Sequence, residues 1–480
     1  MNILFSAAEC APFAKTGGLG DVVSALPKAL KKLGHNVKVV IPRYYKIDKN
    51  SLEHVPGELI VPMGSLGTLK AGVFKSKIPN SDVDIYFIDY EDFFGRSGIY
   101  TDESGYSYQD NDIRFAFLSV ATFELCKMLG INPDIFHAND WHTAAVPVLL
   151  KTRYKEFKAK SVLTIHNLQH QGMFDKRIMD ILQIPWNHFN PFELEALGAV
   201  NLLKGGITFA DAVTTVSKKY ALEIQTPEFG FGLDGHIRAH SYKLYGILNG
   251  VDYEEWNPAC DKYIAKNYDL GWMEGKKECK KELLERFGLY GEQKALIGFV
   301  GRFAWQKGIE LIAQAMEGLL HLNANYVFLG TGEKWAEGFF SDIAGRYPNF
   351  RVYVGFSNEL AHKIEAGADM FLMPSIFEPC GLNQIYSLRY GTPPIVRATG
   401  GLDDTVENYD PFSKKGTGFK FWEASRDALY NTVKWAVDVY YNDKEGFKKV
   451  MEEGMRRRFS WEKSAKEYLL VYERVLNDGF

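Results

Sequence analysis

Glycines and charged residues recur where an apolar run gives way to a helical pattern, and the first such segment is Lys15–Asp21 (KTGGLGD). Glycines at a strand-to-helix junction let backbone N–H groups approach an anion, and the helix start adds partial positive charge. Lys15 would add a full charge. The segment matches neither GxGxxG nor GxxxxGKS/T, which argues against a dinucleotide or P-loop site. An anion site and a plain tight turn both remain open.

Two predicted strands end in polar segments, His137–His142 (HANDWH) and Thr164–Asn167 (TIHN). At the carboxyl end of a strand in an open α/β sheet, side chains face the ligand crevice. Asp140 could accept hydrogen bonds from sugar hydroxyls while Trp141 packs against a pyranose face. His166 could bond a hydroxyl or a carbonyl near a reacting carbon. The alternatives are a capped helix start with a buried tryptophan, and a structural histidine.

The segment Gly301–Gly308 (GRFAWQKG) follows the first strand of a second α/β series. Arg302 offers a planar fork for phosphate oxygens and Lys307 a compact positive charge, so the pair suits a diphosphate. A pair of solvated surface cations is the alternative.

The segment Pro374–Asn383 (PSIFEPCGLN) follows a very apolar strand and precedes a helix. Its proline and glycine residues fix a turn that leaves Glu378 at the tip and free N–H groups at the helix start. A carboxylate beside phosphate-binding amides would make a sugar clamp, and a capping turn is the alternative. Cys380 has no histidine near it in sequence, which favours a buried structural thiol over a nucleophile. A similar glycine turn, Thr399–Thr405 (TGGLDDT), could hold an anion or a sugar hydroxyl.

The elements that must position these segments alternate between strand and helix. Residues 2–8 and 37–41 form apolar strands around a helical pattern at 19–33, which predicts a βαβ unit and a parallel sheet. The alternation restarts near residue 295, so we predict two doubly wound α/β domains with a boundary near 247–251. A cleft between two such sheets is a natural place for a nucleotide-bearing ligand. Further strands are predicted at 84–88, 135–138, 161–165, 212–216, 295–300, 325–329, 351–354, 370–373 and 394–397.

The composition argues against a nucleic-acid or membrane-surface protein. Of the 480 residues, 46% are hydrophobic and 24% charged, and 56 basic against 60 acidic residues give a net charge of −4. The five cysteines show no CxxC pairing, no uncharged apolar run reaches a bilayer-spanning length, and the first residues lack the basic region of a signal peptide. These features predict a cytoplasmic protein without a disulfide framework.

Taken together, these segments resemble the glycogen and starch synthase family. KTGGLGDV and EPCG are the most specific of the shared strings, and Tyr386, eight positions after Glu378, resembles the synthase branch of a wider group that often has a second glutamate there. The strings follow the family's order and cover nearly the whole chain. They are KTGGLGDV, HANDWH, TIHN, NGVD (Asn249–Asp252), GRFAWQKG, PSIFEPCG and TGGLDDTV.

The resemblance implies a GT-B fold, in which two facing Rossmann-like domains enclose the active site in a central cleft. It implies an acceptor-side domain at 1–247, a nucleotide-sugar-side domain at 248–458 and a C-terminal helix at 459–480 that crosses back to the first domain. The implied reaction transfers glucose from ADP-glucose, with retention of configuration, to the non-reducing end of an α-1,4-glucan (glycogen or a maltooligosaccharide). No metal, cofactor, nucleic acid or membrane is implied, and the oligomeric state stays open.

The resemblance also implies roles for individual residues. The cations and open amides would stabilise the departing nucleotide diphosphate, and Phe356 would stack on the base. Ile376 and Asn383 depart from the Arg and Thr common in the family, which leaves the detail of donor contact open. The implied catalytic residues are His166, Arg302, Lys307 and Glu378; the donor-binding residues Lys15, Gly18, Asn249, Phe356, Cys380, Gly381, Leu382 and Asn383; and the acceptor-binding residues Asp140 and Trp141.

The sequence also leaves other activities open. The pairs Asp82/Asp84 and Asp110/Asp112 match the DxD pattern of metal-dependent glycosyltransferases, and we interpret both as surface features. The alternatives are a UDP-glucose-using or other GT-B transferase, such as a sucrose or phospholipid sugar transferase, and a catalytically silent glucan-binding protein. A nicotinamide dehydrogenase is disfavoured because GxGxxG is absent.

Overall fold

The protein is described from a computed structural model that covers residues 1–478. These residues form two units. Unit 1 comprises Met1–Asn249 and the chain from Trp461 onward, and unit 2 comprises Gly250–Ser460. No helix within residues 1–478 combines the length and the apolar character needed to cross a membrane.

Unit 1 is built on a nine-stranded sheet whose central strands are parallel. Unit 1 contains twelve strands in all, nine in this sheet and three in a small separate one: β1 (Asn2–Ser6), β2 (Asn36–Pro42), β3 (Glu53–Pro62), β4 (Thr68–Lys77), β5 (Asp84–Asp89), β6 (Ile135–Asn139), β7 (Lys160–Ile165), β8 (Met173–Phe174), β9 (Glu195–Ala196), β10 (Ala199–Asn201), β11 (Ala212–Thr215) and β12 (Leu244–Gly246). The order is β12-β11-β7-β6-β1-β2-β5-β4-β3, and β8, β10 and β9 form a small separate sheet. The strands from β12 to β5 pair in parallel, whereas β3 and β4 extend the sheet as an antiparallel hairpin.

The hairpin of β3 and β4 escaped prediction because its sequence carries little apolar signal. Most residues of β3 are exposed, and the strand contains Pro56 and Gly57 next to a register shift between Val55 and Leu59. An edge strand with a solvated face does not need the continuous apolar run of a buried parallel strand.

The helices of unit 1 cover both faces of its sheet. They are α1 (Gly18–Lys32), α2 (Glu91–Phe94), α3 (Asn111–Leu129), α4 (Asp140–Thr143), α5 (Ala145–Thr152), α6 (Ile178–Leu182), α7 (Leu202–Phe209), α8 (Lys218–Glu223) and α9 (Asp234–Ala239). The helix α3 is buried on nearly all sides, and it ends at Gly130, whose φ of +65° suits a residue without Cβ.

Unit 2 has a six-stranded parallel sheet in the order typical of dinucleotide-binding folds. Its strands are β13 (Ala295–Val300), β14 (Ala324–Gly330), β15 (Phe350–Val354), β16 (Met370–Met373), β17 (Pro394–Arg397) and β18 (Phe419–Phe421). They lie in the order β15-β14-β13-β16-β17-β18. Apolar clusters pack on both faces of this sheet, which explains why the strands are almost uninterrupted apolar runs.

The helices of unit 2 alternate with its strands. They are α10 (Glu274–Phe287), α11 (Ile309–His321), α12 (Lys334–Arg346), α13 (Asn358–Gly367), α14 (Asn383–Arg389), α15 (Gly400–Thr405), α16 (Arg426–Asn442) and α17 (Lys444–Arg456). Between β13 and α11, Gly308 has a φ of +75°, and a Cβ there would come within 2.0 Å of the Pro374 carbonyl oxygen. Glycine at this position therefore lets the segments after β13 and β16 approach each other closely.

The last helix, α18 (Trp461–Asn477), packs into the core of unit 1. Its residues Tyr468 and Tyr472 are fully buried there. The Tyr472 hydroxyl lies 2.6 Å from Nδ1 of His137 in β6. The carboxyl-terminal helix is thus an integral part of the unit in which the chain begins.

Candidate active site

Strand order brings three of the predicted segments of unit 1 together. The strands β7, β6 and β1 are neighbours in the sheet and run in parallel. The segments that follow them, around His166, Asp140 and Lys15, therefore begin at the same edge of the sheet. Each of these segments was singled out from sequence, and their adjacency follows from the topology.

One hydrogen bond joins Asp140 to the backbone of His166, and a second joins the His166 side chain to Asn139. The His166 N–H donates to Oδ1 of Asp140 over 2.7 Å, and His166 Nε2 lies 3.0 Å from Oδ1 of Asn139. Both residues are buried. Asp140 has a φ of +56°, an uncommon conformation for a residue with a side chain, and such conformations concentrate at functional sites.

Burial changes the protonation of both side chains. It raises the pKa of Asp140 to about 7, although the N–H groups of His166 and Asn167 act in the opposite direction. It lowers the pKa of His166 to about 3, so the imidazole is neutral at physiological pH. The site therefore offers a neutral imidazole beside a carboxyl group that titrates near neutrality, which is suited to hydrogen bonding with sugar hydroxyls.

A buried carboxylate that sequence reasoning missed, Glu9, holds the first glycine segment. It accepts hydrogen bonds from the N–H (2.9 Å) and the hydroxyl (2.7 Å) of Thr16, from the Gly17 N–H (3.4 Å) and from the Tyr100 hydroxyl (2.6 Å). Two backbone N–H groups of the loop are thus already occupied by the protein. Glu9 lies only three positions after the end of β1. Its position just after a strand was the feature of the sequence that could have identified it.

Gly17 and Gly18 nevertheless face open space. A Cβ added at either residue would have no other atom within 4 Å, and neither requires a left-handed conformation. Packing therefore does not demand glycine at these positions. Lys15, two residues before Gly17, forms a half-exposed ion pair with Asp21 (2.7 Å).

Asn249, at the end of unit 1, is predicted to contact the donor sugar or a loop. It is 7% exposed, and its Oδ1 has no hydrogen-bond partner among residues 1–478. A buried acceptor without a partner is uncommon and calls for a donor.

Trp141, predicted to pack against the acceptor sugar, lies next to Asp140 among aromatic side chains. The indole is 8% exposed and packs against Phe115 and Phe174, with ring centroids 5.3 and 5.1 Å away. A Cβ on Gly172 would come within 2.7 Å of the indole. Trp141 is therefore packed among protein side chains to the same extent as Asp140 beside it, and its contact with an acceptor sugar stays a prediction.

The nearby histidines His137 and His142 are structural. His137 lies 2.6 Å from both the Tyr472 and the Thr164 hydroxyls, which engages its two nitrogens. His142 stacks on Tyr100 with ring centroids 4.8 Å apart. Burial lowers the pKa of both histidines.

In unit 2, the second predicted group of residues forms a compact polar cluster. Lys307 Nζ donates to Oε2 of Glu378 over 2.6 Å, and the Ser375 hydroxyl donates to the same oxygen over 2.9 Å. The Glu378 side chain is 7% exposed and that of Lys307 21%. Lys307 is therefore the more accessible member of this ion pair, and Glu378 is the buried one. Ser375 is a further residue that the sequence reasoning did not assign.

The turn after β16 presents unused backbone donors. The N–H groups of Gly381 and Leu382 donate to no acceptor among the described residues, and α14 begins directly after them. Gly381 has a φ of +74°, and a Cβ there would lie 2.6 Å from Oε1 of Gln384. Asn383, one of the departures from the family pattern, donates to the Val300 carbonyl oxygen over 2.9 Å and so ties α14 to β13.

A buried amide, also missed from sequence, holds this turn against the next. Gln384 Nε2 donates to the carbonyl oxygens of Cys380 and Gly381, both over 3.0 Å, and to the Thr405 hydroxyl over 3.2 Å. The Gly401 N–H donates to the Glu378 carbonyl oxygen over 3.0 Å. Cys380 is 5% exposed, as expected for a structural thiol.

Two further predicted residues of unit 2 are exposed. Arg302 forms no ion pair with any described residue, and Phe356 is 87% exposed. Arg302 follows β13 and Phe356 follows the edge strand β15. Both side chains are available to a ligand, and neither is held in place by the protein.

The DxD pairs are engaged by cations of the protein. Asp82 pairs with Lys77 (2.7 Å), and Asp110 pairs with Arg96 (2.6 Å). Asp112 is 2% exposed and pairs with Arg177, so our interpretation of this residue as a surface feature is wrong. Within residues 1–478, no group of three His, Cys, Asp or Glu side chains is arranged to hold a metal ion.

Comparisons with known proteins cover the chain from end to end. Residues 2–239 match the family described as "Starch synthase catalytic domain", and residues 281–449 match "Glycosyl transferases group 1". "Glycogen synthase 1" of Geobacter metallireducens is 50% identical over 484 aligned residues, which cover 99% of this chain and 96% of that protein.

Solved structures match as well. The catalytic domain of starch synthase IV from Arabidopsis thaliana, described as bound to ADP and acarbose, superposes with a TM-score of 0.89 at 33% identity over 99% of both chains. Sucrose-phosphate synthase from Thermosynechococcus elongatus matches with a TM-score of 0.63 at 16% identity over 100% of both chains, a likeness that shows the fold alone.

The raised pKa of Asp140 predicts a pH-dependent contribution to stability. The folded protein keeps this proton up to about pH 7, whereas the unfolded chain loses it around the ordinary value of 3.8. Between these values the folded state binds more protons, so the contribution of Asp140 to the free energy of unfolding falls as pH rises. The side chain at this position in the Asp140→Asn variant cannot ionise. We therefore expect the free energy of unfolding of the wild type, minus that of the variant, to decline from about pH 4 to 7 and then to level off.

Denaturant titrations at a series of pH values measure this difference in the free energy of unfolding. The buried histidines make stability rise with pH, but they are present in both proteins, so their effect cancels in the difference. Asp82→Asn is the matched control, because Lys77 lowers the pKa of that exposed carboxyl and its difference should be flat above pH 5. If the difference between the wild type and Asp140→Asn does not change with pH above about pH 5, the Asp140 carboxyl ionises normally.

Proposed function

Because the chain belongs to the glycogen and starch synthase family and has that family's two-domain GT-B fold, we propose that it transfers glucose from ADP-glucose, with retention of configuration, to the non-reducing end of an α-1,4-glucan. The observation that carries the proposal is the cluster of Lys307, Glu378 and Ser375 beside the open N–H groups of Gly381 and Leu382. One cation, one carboxylate and free amides there suit a sugar joined to a diphosphate. ADP is favoured as the nucleotide because the similar starch synthase IV is described as bound to ADP.

We propose that unit 2 holds the donor. As the bond to glucose breaks, negative charge develops on the diphosphate, and Lys307, Arg302 and the turn amides stabilise it electrostatically. Glu378 exchanges part of its bond to Lys307 for glucose hydroxyls. Phe356 stacks on the base, and Cys380 and Asn383 position the turn around the donor.

We propose that unit 1 supplies the groups for the acceptor and for the transferred glucose. His166 is held by Asn139 and is neutral, so it donates or accepts a hydrogen bond without adding charge. Asp140 orients the acceptor, and a carboxyl group that titrates near neutrality can take the proton of the attacking hydroxyl. Lys15, the Gly18 N–H and Asn249 add donor contacts.

The negative charge that develops on the leaving diphosphate needs no metal ion in this scheme. The leaving diphosphate is matched by side-chain cations and amides alone, and the DxD carboxylates are held by Lys77, Arg96 and Arg177. We therefore expect activity to persist in EDTA.

Chain elongation with labelled donors tests the proposal. The protein is incubated with glycogen and either labelled ADP-glucose or labelled UDP-glucose, and label in the precipitated polymer is counted before and after amylase treatment. We expect amylase-sensitive label, with ADP-glucose preferred. Label in a small product would indicate another GT-B transferase, and an intact nucleotide sugar with glycogen bound would indicate a silent glucan-binding protein.

Removing the Lys307 cation should slow the transfer step. We expect Lys307→Ala to lower kcat by about 30- to 1000-fold, which corresponds to about 2 to 4 kcal/mol of lost transition-state stabilisation. Lys280→Ala is the matched control, since Lys280 forms a partly buried ion pair with Asp369 (2.7 Å) at the opposite, amino-terminal edge of the same sheet. A Lys307 variant within threefold of wild type would show that another cation carries the charge.

A Cβ on Gly18 would point into open space, and this allows a second test in which activity and stability change in different ways. Gly18→Ala meets no atom of the protein and lies in the first turn of α1, so it should raise the free energy of unfolding by up to about 1 kcal/mol. The methyl group would occupy space that we assign to the donor, so the KM for the nucleotide sugar should rise. Gly345→Ala in α12, which also meets no atom within 4 Å, should stabilise without that effect. Unchanged kinetics for Gly18→Ala would remove this loop from the donor site.

A further inference from the structure

An indole separates two helices of unit 2. Trp256 lies parallel to the His362 ring in α13, with ring centroids 3.7 Å apart and an interplanar angle of 10°, and parallel to the Tyr386 ring in α14, with values of 3.9 Å and 3°. Two rings that both lie parallel to one indole at van der Waals distance occupy its opposite faces. Trp256 is 8% exposed, and the imidazole is fully buried. The indole is therefore a spacer between α13 and α14.

A buried carboxylate ties α13 to the end of α14. Oδ2 of Asp261 lies 2.7 Å from Nδ1 of His362, and the hydroxyl of Tyr390, the residue after α14, donates to the same oxygen over 2.5 Å. Burial acts to raise the pKa of Asp261, but these two hydrogen bonds act against it and the pKa lies below its ordinary value. The carboxylate is therefore charged at neutral pH, and its position is fixed by donors from both sides.

The spacer and the carboxylate belong to one segment, residues 250–273, with which unit 2 begins. A third contact comes from the same segment, because Asp269 pairs with Arg389, the last residue of α14, over 2.9 Å. The Arg389 guanidinium also donates to Oδ1 of Asn257 over 2.6 Å. The conformation of this segment therefore determines where α14 lies relative to α13.

The histidine in the stack has a polar cost that ordinary apolar packing would avoid. Nε2 of His362 is buried and has no hydrogen-bond partner among residues 1–478. Oε1 of Glu255, 4.0 Å away, is too distant for a hydrogen bond. A leucine would cover the indole without leaving a buried nitrogen unpaired. The histidine instead combines a flat ring with a donor for Asp261, and both features fix an orientation rather than fill a volume.

The two helices begin beside residues that are assigned above to the donor. The helix α13 begins at Asn358, two residues after Phe356, and α14 begins at Asn383, directly after the open N–H groups of Gly381 and Leu382. The strands before these turns, β15 and β16, are separated in the sheet by β14 and β13, which is a distance of about 14 Å. Strand pairing therefore does not join the two turns directly, and the packing of α13 against α14 contributes to the distance between them.

We propose that Trp256 is a positioning residue for the nucleotide sugar. By holding α13 and α14 at a fixed separation, its indole sets the distance between Phe356 and the N–H groups of Gly381 and Leu382, and it does so without touching the donor. The inference rests on the proposed function only for the identity of that donor. A displacement of about 1 Å among groups that act on one ligand can cost about 100-fold in rate. A spacer outside the site can therefore have a large effect on it.

Substitutions that separate ring shape from apolar volume test the spacer. Trp256→Phe keeps a flat ring, whereas Trp256→Leu keeps apolar volume without one. Each variant is compared with wild type for the KM of ADP-glucose, the KM of glycogen and the Kd of ADP measured by calorimetry. We expect Trp256→Leu to raise the KM of ADP-glucose and the Kd of ADP at least about fivefold. Trp256→Phe should stay within about twofold of wild type for both, and the KM of glycogen should change less than about twofold in either variant.

Variants of Tyr386 provide a milder test, because this ring is only partly buried and the indole stays in place. We expect Tyr386→Leu to raise the Kd of ADP about threefold, and Tyr386→Phe, which keeps the ring, to match wild type. Trp435→Ala is the matched control. The Trp435 indole packs edge-on against Phe419, with ring centroids 5.0 Å apart, at the amino edge of β18. Its loss should lower stability and leave the Kd of ADP unchanged.

Equal ADP affinity in Trp256→Leu and Trp256→Phe would overturn the inference, because apolar volume alone would then suffice. A KM of glycogen that rises in step with the KM of ADP-glucose would also overturn it, since it would indicate a general loss of structure. If the Trp256 variants do not fold, the two Tyr386 variants decide between the same outcomes. A wild-type protein that binds ADP but transfers no glucose would refute the proposed function, and a loss of ADP affinity in Trp256→Leu alone would still support the spacer.

Discussion

Parallel strand pairing is the constraint on which the candidate site depends. In a parallel sheet every strand ends at the same edge, so residues far apart in sequence are brought side by side without any contact of their own to hold them. In unit 1 this places the segments after β1, β6 and β7 in a row, and in unit 2 the segments after β13, β16 and β17. The apolar strands between the helices therefore do more than form a core. They fix which loops can cooperate.

Buried carboxylates then give these loops their shape. Glu9 binds the hydroxyl and N–H groups of the first glycine segment, and Glu378 is bonded by Lys307 and Ser375. A carboxylate taken out of water is stable only where several donors meet it, so each of these residues imposes a definite conformation on its neighbours. Asp140 is also buried, and its burial raises the pKa of the carboxyl to about 7 although backbone N–H groups bond it.

Much of the fold could be predicted from the sequence, because buried parallel strands are continuous apolar runs and helices follow them at regular intervals. The predicted helix at 19–33 agrees with α1 to within one residue at each end, and the predicted strand at 370–373 agrees with β16. The edge hairpin of β3 and β4 lacked that signal. In the site, motifs identified the residues that could meet a ligand. Glu9, Ser375 and Gln384 were missed because their role is to bond the protein's own loops, and such partners become apparent only once distances are known. The aromatic neighbours of Trp141, Phe115 and Phe174, likewise could not be recognised from the polar segment around it in sequence.

The amide of Gln384 has a consequence for how the sequence can change. It joins the turn that carries Glu378 to the glycine turn of α15, and the Gly401 N–H makes a second link between them. A Cβ on Gly400 would come within 1.8 Å of the Glu378 carbonyl oxygen, so the two turns cannot move apart or together independently. Substitutions in one turn should therefore be strongly non-additive with substitutions in the other. Under selection we expect residues of the two turns to change together, as paired replacements rather than single ones.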